Sequence, residues 1–410
     1  MKRYVIIGNG AAAAGCIEGI RSADPEGPIT VVSEELRPAY CRPLISYYLE
    51  GKAASEKMNY RPDDFYDKTG CRVLYGQKAV SIDPAAKTVT LDDGEMLPYD
   101  ALCVAAGSAP FVPPFEGLDT VPEKYTFMTM DDALALERAT ETPKDVLIVG
   151  AGLIGLKCAE GIYGRVKSIT VCDLADRVLS SILDAEGAAA VQAHLEQHGL
   201  RFLLGDTVAR FDGQTAYMKN GGKVKFDVLV LAVGVKPNAA LVKDAGGAVG
   251  RGISVNERME TSIPEVYAAG DCAEGEDISC GQRRVLAIMP NAYLQGCAAG
   301  VNMAGGEARF DNAIPMNAIG FFGLHIMTAG SYTGEVFAET TEAGSKKFFT
   351  QDGLLKGFIL IGETQRAGLY TALIRNRTPL CDVDFELLRQ AATSAAFSAP
   401  ARADMFGKVV

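Results

Sequence analysis

The chain has 410 residues, 48% of them hydrophobic and 22% charged, with a formal net charge of −11 at pH 7. This length predicts two or three domains with buried cores, and the composition is typical of a soluble globular protein. The negative charge argues against a nucleic acid or an anionic membrane as a partner. No apolar run is long enough to span a bilayer.

Ten cysteines are scattered along the chain without any C-x-x-C pair. This spacing disfavours zinc or iron–sulfur ligation and a local redox disulfide, so we expect no bound metal. Free thiols in apolar runs are typical of a reducing compartment, and we therefore expect a cytoplasmic protein.

The first predicted strand, residues 4–7, runs directly into a glycine-rich turn. Gly8, Gly10 and Ala13 have the G-x-G-x-x-A spacing of a dinucleotide-binding turn, and a helix is predicted to about residue 23. In such a turn the first glycine permits the sharp bend. The helix N-terminus then directs its free N–H groups at the pyrophosphate.

The second strand, over residues 29–32, leads to Glu34, where such folds place an acid that accepts hydrogen bonds from a ribose. The segment of residues 34–51 is rich in proline, arginine and tyrosine. It predicts an ordered loop over a ligand rather than a core strand.

Two further strand patterns, at residues 88–91 and 101–104, lead to the small residues Ala106 and Gly107. Small residues there let the chain lie close to a ligand or to neighbouring backbone. The proline-rich residues 110–122 indicate the crossover out of a first domain.

A second glycine turn follows with more complete signals. A strand over residues 146–149 leads into Gly150, Gly152 and Gly155 in G-x-G-x-x-G spacing, then into a helix and a strand that ends on Asp173. Strand, turn, helix, strand and acid in this order predict a dinucleotide site. The carboxylate would accept hydrogen bonds from a ribose 2′-hydroxyl and repel a 2′-phosphate, which favours NADH over NADPH.

Two such turns on separate βαβ units imply two bound dinucleotides, or an internal duplication that has lost one site. We expect two ligands. Further along, a short apolar strand delivers Gly270 and Asp271 at its end, where a carboxylate can hydrogen-bond a polyol such as a ribityl chain. A helix rich in small residues is predicted over residues 289–304, which allows close packing.

The last part of the chain alternates strand-like runs, at residues 346–349 and 357–361, with a helix at residues 364–374. The small, polar tail after residue 395 is predicted to be mobile.

These motifs resemble those of the two-dinucleotide flavoprotein reductases of the pyridine nucleotide-disulfide oxidoreductase superfamily. The nearest branch is similar to rubredoxin and ferredoxin reductases, NADH oxidases and the flavin domain of nitrite reductase. The resemblance rests on both glycine turns, on YAAGD at residues 267–271, on RPLIS at 42–46, on NAIGFFGL at 317–324 and on residues 357–380.

The resemblance implies an α/β fold with two Rossmann-like dinucleotide-binding domains and a C-terminal α+β domain. Residues 1–117 and 245–310 would bind FAD, residues 118–244 would bind NAD(P)H, and residues 311–395 would form an interface domain. Residues 396–410 would be the mobile tail. By the same resemblance, the nicotinamide nucleotide lies on Gly150, Gly152, Gly155 and Asp173. FAD lies on Gly8, Gly10, Ala13, Glu34, Arg42, Pro43, Ala106, Gly107, Gly270, Asp271, Pro290 and Asn291.

The implied reaction is hydride transfer from NADH to flavin N5, followed by electron passage to a separate redox protein or a small molecule. A rubredoxin- or ferredoxin-like protein is the expected acceptor. Whether the protein forms a homodimer is left undecided by the sequence. One alternative is an NADH oxidase or peroxidase that uses Cys41 as a redox thiol. Another is a nucleotide-binding sensor without turnover. Disulfide reductases need a cysteine pair, and only Cys41 lies in the appropriate loop. Because the electron-transfer members carry Arg-Pro where this chain has it, we expect Cys41 to be a non-redox neighbour of the flavin.

A second departure concerns the flavin face. Relatives carry a lysine shortly after Arg-Pro and a glutamate two residues after the third glycine, whereas this chain has Tyr47 and Lys157. We hypothesise that Lys157 places its ammonium near N5, with Tyr47 or Glu50 as its partner; otherwise it reaches solvent. Lys157, Tyr47 and Cys41 are thus the candidate catalytic side chains, and the histidines are expected to be structural or exposed.

Overall fold

The computed structural model of the protein describes residues 1–391, 393–398, 400 and 402. The chain forms two compact units. The first comprises Met1–Gly275 and Met289–Phe310, and the second comprises Glu276–Ile288 and the described residues from Asp311 onward. Residues 276–288, which the sequence assigned to the FAD domain, thus belong to the second unit. The division of the first unit into FAD and NAD(P)H domains stays a prediction.

The N-terminal part of the first unit holds most strands of the first sheet. Its elements are β1 (Tyr4–Ile7), α1 (Ala11–Ala23), β2 (Ile29–Ser33), α2 (Ile45–Leu49), α3 (Phe65–Lys68), β3 (Cys71–Tyr75), β4 (Ala79–Asp83), β5 (Thr88–Leu91), β6 (Met96–Pro98), β7 (Ala101–Val104) and β8 (Ser108–Pro110).

The middle part repeats this pattern of strands and helices. Its elements are β9 (Lys124–Tyr125), α4 (Met130–Ala139), β10 (Asp145–Val149), α5 (Leu153–Ile162), β11 (Ser168–Asp173), α6 (Ala185–Gln197), β12 (Arg201–Leu204), β13 (Val208–Asp212), β14 (Thr215–Met218), β15 (Gly222–Lys225), β16 (Val228–Leu231), β17 (Val235–Pro237) and α7 (Ala240–Asp244).

The remaining elements are β18 (Ile253–Ser254), β19 (Val266–Ala268), β20 (Ala273–Asp277), β21 (Gln282–Arg284), α8 (Met289–Met303), β22 (Met316–Phe321), β23 (Leu324–Gly330), β24 (Glu335–Thr341), β25 (Gly344–Gln351), β26 (Leu354–Ile361), α9 (Ala367–Arg375) and α10 (Phe385–Gln390).

Two five-stranded parallel sheets organise the first unit, and they are built alike. The first has the order β19-β7-β1-β2-β3 and the second the order β12-β11-β10-β16-β9. In each, the strand before a glycine turn lies in the middle, where β1 and β10 are buried almost throughout. Strands covered on both faces have continuous apolar runs, and for this reason the sequence predicted them correctly.

The helices α1 and α8 pack closely through glycines on both. A Cβ added at Gly15 or Gly19 would lie well under 3.0 Å from backbone of α8, and one added at Gly296 or Gly300 would do the same to α1. Real Cβ atoms essentially never come that close. The predicted close packing of the small-residue helix is therefore confirmed.

The second unit has an antiparallel five-stranded sheet of order β22-β23-β26-β25-β24. Phe348 and Phe358 of the sheet pack with Tyr370 of α9 in its core, which also includes Ala396 and Phe397. The first residues of the predicted mobile tail are thus buried, whereas residues 399, 401 and 403–410 lie outside the described residues.

Residues 34–51 are predicted to form a loop, but the structure has a short 3₁₀ turn over Arg42–Leu44 and then α2 in this segment. Pro43 lies in the first turn, where its fixed φ favours a helical start and its missing N–H costs nothing. Throughout the described part of the chain, every helix is too short or too polar to cross a bilayer.

Candidate cofactor sites

The first glycine turn connects β1 to α1. Gly8 has a φ of 104°, and a Cβ there would lie well under 3.0 Å from the Ala105 carbonyl oxygen at the end of the neighbouring strand. Its N–H donates to Val32 O at 2.8 Å. Gly10 begins α1, and apart from the adjoining chain no described atom lies within 4 Å of where its Cβ would be. Glycine is therefore required by the fold at position 8 but not at position 10.

The second turn, from β10 to α5, repeats this geometry. Gly150 has a φ of 118°, and its Cβ would strike the Ala232 carbonyl oxygen. A Cβ at Gly155 would strike the Gly150 carbonyl oxygen, which explains why the third position of the motif is a glycine. Gly152 begins α5 and, like Gly10, has no described atom within 4 Å of its Cβ position. Each turn thus contains one glycine that the fold itself does not require.

Asp173, at the end of β11, lies beside the second turn. Its two carboxylate oxygens accept hydrogen bonds from Ala151 N at 2.6 Å and from Ala175 N at 2.8 Å. These bonds fix a negative charge next to the N-terminus of α5. The structure thereby brings the predicted acid and the glycine turn together.

Two adjacent acids follow β2, and they differ in exposure and in their partners. Glu34 is 71% exposed at its side chain and pairs with Lys78 at 3.1 Å. The neighbouring Glu35 is 21% exposed, forms an ion pair with Arg42, and accepts a hydrogen bond from the Tyr40 hydroxyl at 2.8 Å. The sequence missed Glu35 because adjacent acids in a loop give no signal of which one turns inward.

Arg42 and Tyr40 also join this segment to the start of α4. Met130 N donates to the Tyr40 hydroxyl oxygen at 2.9 Å, and Arg42 Nη1 donates to Met128 O at 3.2 Å. Pro43, next to Arg42, is exposed. The segment after the first acid is therefore held against the chain that leads into the second sheet.

Gly270 and Asp271 follow β19 and lie beside the first turn. Gly270 has a φ of 81°, and its Cβ would lie 3.0 Å from the Cβ of Ala12 in α1. Its N–H donates to Gln295 Oε1 at 2.8 Å. Burial raises the pKa of the Asp271 carboxyl, an effect that Arg42 partly opposes. A carboxylate in such surroundings gains from a hydrogen-bonding ligand.

Two other buried polar atoms lie near the first turn. The Tyr66 hydroxyl donates to Asn9 Oδ1 at 2.6 Å, while Asn9 Nδ2 has no partner among the described residues. Ser108 Oγ, at the start of β8, is likewise buried with no partner among the described residues. Buried donors of this kind are costly unless a ligand satisfies them.

The remaining predicted contacts lie around the same turn. Asn238 donates through Nδ2 to Ala106 O at 2.8 Å and through its backbone N–H to Gly107 O at 2.9 Å, joining the two strand ends. Ala13 is fully buried in α1. At the start of α8, Pro290 is exposed and Asn291 is fully buried.

Lys157 lies on α5 with its side chain only 15% exposed. Its Nζ lies 4.6 Å from the centroid of the Tyr47 ring on α2. Its carboxylate partner is Glu160, which the sequence missed, whereas Glu50 pairs with Lys52 at 2.7 Å. The expected contact with Tyr47 is present, and Glu160 takes the role considered for Glu50.

Cys41 immediately precedes the Arg42–Leu44 turn, with its Sγ 3.8 Å from Met289 Sδ. Burial raises the pKa of its thiol, and a hydrogen bond with Leu44 N opposes this only partly. All ten cysteines lie in the described residues and are free. No group of three potential metal ligands occurs in the described residues.

Comparison with known proteins agrees with this geometry. Residues 2–296 match the family model for pyridine nucleotide-disulphide oxidoreductases. Over 393 residues the chain is 33% identical to the epsilon subunit of the NADH-dependent phenylglyoxylate dehydrogenase of Aromatoleum evansii, covering 92% of each chain. Over 320 residues it is 34% identical to an NADH oxidase of Methanocaldococcus jannaschii, covering 75% of this chain and 71% of that one. Putidaredoxin reductase, solved in covalent complex with putidaredoxin, shares the fold with a TM-score of 0.88 at 24% identity, covering 96% of this chain and 97% of that one.

The fold and these relatives define a flavin- and NAD(P)H-dependent oxidoreductase with two Rossmann-like domains and a C-terminal domain. The chain belongs to the pyridine nucleotide-disulphide oxidoreductase family. The family, the fold class and the kind of enzyme predicted from the sequence are thereby confirmed.

Proposed function

We propose that this protein oxidises NADH and delivers the electrons, through FAD, to a separate redox protein of the rubredoxin or ferredoxin kind. The proposal rests on the two matching glycine turns, which lie within one compact unit. In that unit, α2 of the first nucleotide fold packs on α5 of the second. When bound, FAD supplies hydride acceptance at N5 and onward release of electrons. The residues of the chain bind the FAD, orient it and tune its reduction potential.

The first turn has the features that FAD needs. Gly10 leaves room for a pyrophosphate beside the N-terminus of α1. Asn9 Nδ2 and the partly buried Asp271 carboxyl offer a donor and an acceptor for polar groups of the cofactor. Gly8, Gly107 and Gly270 each have a positive φ, so the backbone bends around this place without side chains. We assign the FAD pyrophosphate to Gly10 and the ribityl chain to Asp271.

The second turn is assigned to NADH. Gly152 leaves the corresponding space at the N-terminus of α5, and Asp173 holds a carboxylate beside it. A carboxylate there accepts hydrogen bonds from a ribose 2′-hydroxyl, and it repels the 2′-phosphate of NADPH. The preference for NADH follows from this charge.

A separate protein acceptor is supported by two of the relatives. One is named as a subunit of a larger NADH-dependent dehydrogenase and matches this chain over 92% of its length. The other, which shares the fold, was solved bound to its redox partner.

The second candidate is an NADH oxidase or peroxidase, which the Methanocaldococcus jannaschii relative supports by its name. Such a role would need Cys41 as a redox thiol. Reactive cysteines have lowered pKa values, whereas burial raises the pKa of Cys41. Electron transfer to a protein is therefore the better supported function.

Anaerobic stopped-flow reduction of the purified holoenzyme by NADH, followed by mixing with rubredoxin, a ferredoxin or oxygen, tests the proposal. We expect rapid reduction by NADH and faster reoxidation by one of the proteins than by oxygen. Reoxidation by oxygen alone, abolished by Cys41→Ser, would establish the oxidase instead. A bound flavin that NADH does not reduce would leave only a nucleotide-binding role.

A further inference from the structure

One ion pair in the first compact unit is almost wholly withdrawn from water. Lys157 and Glu160 lie one turn apart on α5, and their side chains are 15% and 6% exposed. Removing two charges from water costs free energy that their mutual attraction often fails to offset, so a buried pair is weak evidence of a stabilising role.

The pair lies where the two nucleotide folds touch. The Lys157 ammonium is 4.6 Å from the centre of the Tyr47 ring on α2. One turn further along α5, a Cβ added at Gly161 would lie 3.1 Å from Ser46 O, so the two helices are in close contact. Because α5 begins at Gly152, the same helix carries the second glycine turn and the buried cation.

The Tyr47 ring and the Glu160 carboxylate both contact the ammonium, and they differ in how strongly they direct it. The face of an aromatic ring attracts a cation but orients it weakly. A carboxylate on the same helix adds a directional, charge-assisted hydrogen bond. The other lysine of this region, Lys52, pairs with Glu50 and is 63% exposed, so it stays on the solvent side.

We propose that Glu160 is a positioning residue for hydride transfer, because it holds the Lys157 ammonium against Tyr47 so that the cation faces the bound flavin. This inference rests on the proposed function, in which hydride passes at the contact between the two folds. Reduction adds negative charge to a flavin, and a fixed cation in a water-poor site favours that change.

Glu160→Gln distinguishes positioning from simple cancellation of charge. If the carboxylate positions the ammonium, its loss removes the directional hydrogen bond that fixes Lys157. The flavin midpoint potential then falls, as it does in Lys157→Met, and reduction by NADH slows by about 10- to 100-fold. If the carboxylate only cancels charge, the potential rises. A lower melting temperature with an unchanged potential would show a purely structural role. Either of the last two results overturns the proposal.

A double-mutant cycle sharpens the test. In the Lys157→Met background the carboxylate has no ammonium to position, so Glu160→Gln should not lower the potential further, and the loss of its negative charge should raise it if anything. A further fall in the potential would overturn the proposal. Glu386→Gln is the matched control, because it breaks an ion pair of the same spacing with Arg389 in the second unit. We expect it to keep the wild-type potential.

If Glu160→Gln does not fold, Glu160→Asp replaces it, because it keeps the charge and shortens the reach. A potential between those of the wild type and Lys157→Met supports positioning, and a wild-type potential overturns it. These outcomes are separable from failure of the proposed function. If NADH does not reduce the wild-type flavin, the proposed function fails, whereas reduction with an unchanged Glu160→Gln potential defeats only this inference.

Discussion

Gly152 occupies the start of α5 at the second glycine turn, yet nothing in the fold requires glycine there. Its φ is −79°, which any residue adopts, and apart from the adjoining chain no described atom lies within 4 Å of its Cβ position. We therefore predict that Gly152→Ser leaves the fold intact and weakens binding of the nicotinamide nucleotide. The physical reason is that the pyrophosphate approaches the backbone at this residue.

The structure sets the size of the two effects. Serine and glycine are both accepted at a helix N-cap, so stability should change by only a few tenths of a kcal/mol. A side chain in the path of the pyrophosphate should cost at least about 1.4 kcal/mol of binding, which is tenfold in Kd. Gly155→Ala should instead lower the stability of the fold, because its Cβ would lie well under 3.0 Å from Gly150 O. Overpacking of that kind costs roughly 1–3 kcal/mol of stability.

Urea unfolding and calorimetric titration of the holoenzyme with NAD⁺, which does not reduce the flavin, measure both quantities. Gly10→Ser is the matched variant at the first turn, and we expect it to fold normally while losing FAD. A Gly152→Ser variant that binds NAD⁺ as tightly as the wild type, or that is as unstable as Gly155→Ala, would contradict the prediction.

Three further predictions concern single side chains. Asp173→Asn removes the charge that repels a 2′-phosphate, so the ratio of kcat/KM for NADH to that for NADPH should fall by about tenfold or more; an unchanged ratio contradicts the assignment. Cys41→Ser should leave reduction of a protein acceptor by NADH unchanged, because a thiol whose pKa is raised by burial is not a poised nucleophile. Burial also raises the pKa of Asp271, so the folded apoprotein loses stability as pH rises through the carboxyl's titration range. Asp271→Asn should remove that loss, so the apoprotein melts higher at pH 7 while FAD binds more weakly; melting curves from pH 4 to pH 8 and FAD titration check this.

The sequence predicted the parts of the site that depend on local pattern. Gly8 and Gly150 were identifiable because a strand, a sharp turn and a helix leave a fixed glycine spacing. Asp173 followed from its place at the end of the next strand, and the structure does put its carboxylate on the turn backbone. The small residues of α8 likewise indicated the close packing that Gly296 and Gly300 make.

The parts that depend on tertiary contact were not predictable. Glu160 had no distinguishing signal, because its role depends on α2 bringing Tyr47 against α5. Glu35 and Glu34 are adjacent in a loop, and only the positions of Arg42 and Tyr40 decide which turns inward. The helix α2 was missed since its five residues are too few to show a helical period.

We expect the two nucleotide folds of one compact unit to let a bound nicotinamide reduce a bound flavin. Anaerobic titration of the purified chain with NADH, followed by visible absorbance, measures this reduction. We expect a yellow protein with about one FAD per chain, bleached by about one equivalent of NADH. A protein that stays colourless after FAD is supplied, or a bound flavin that NADH fails to bleach, would contradict it.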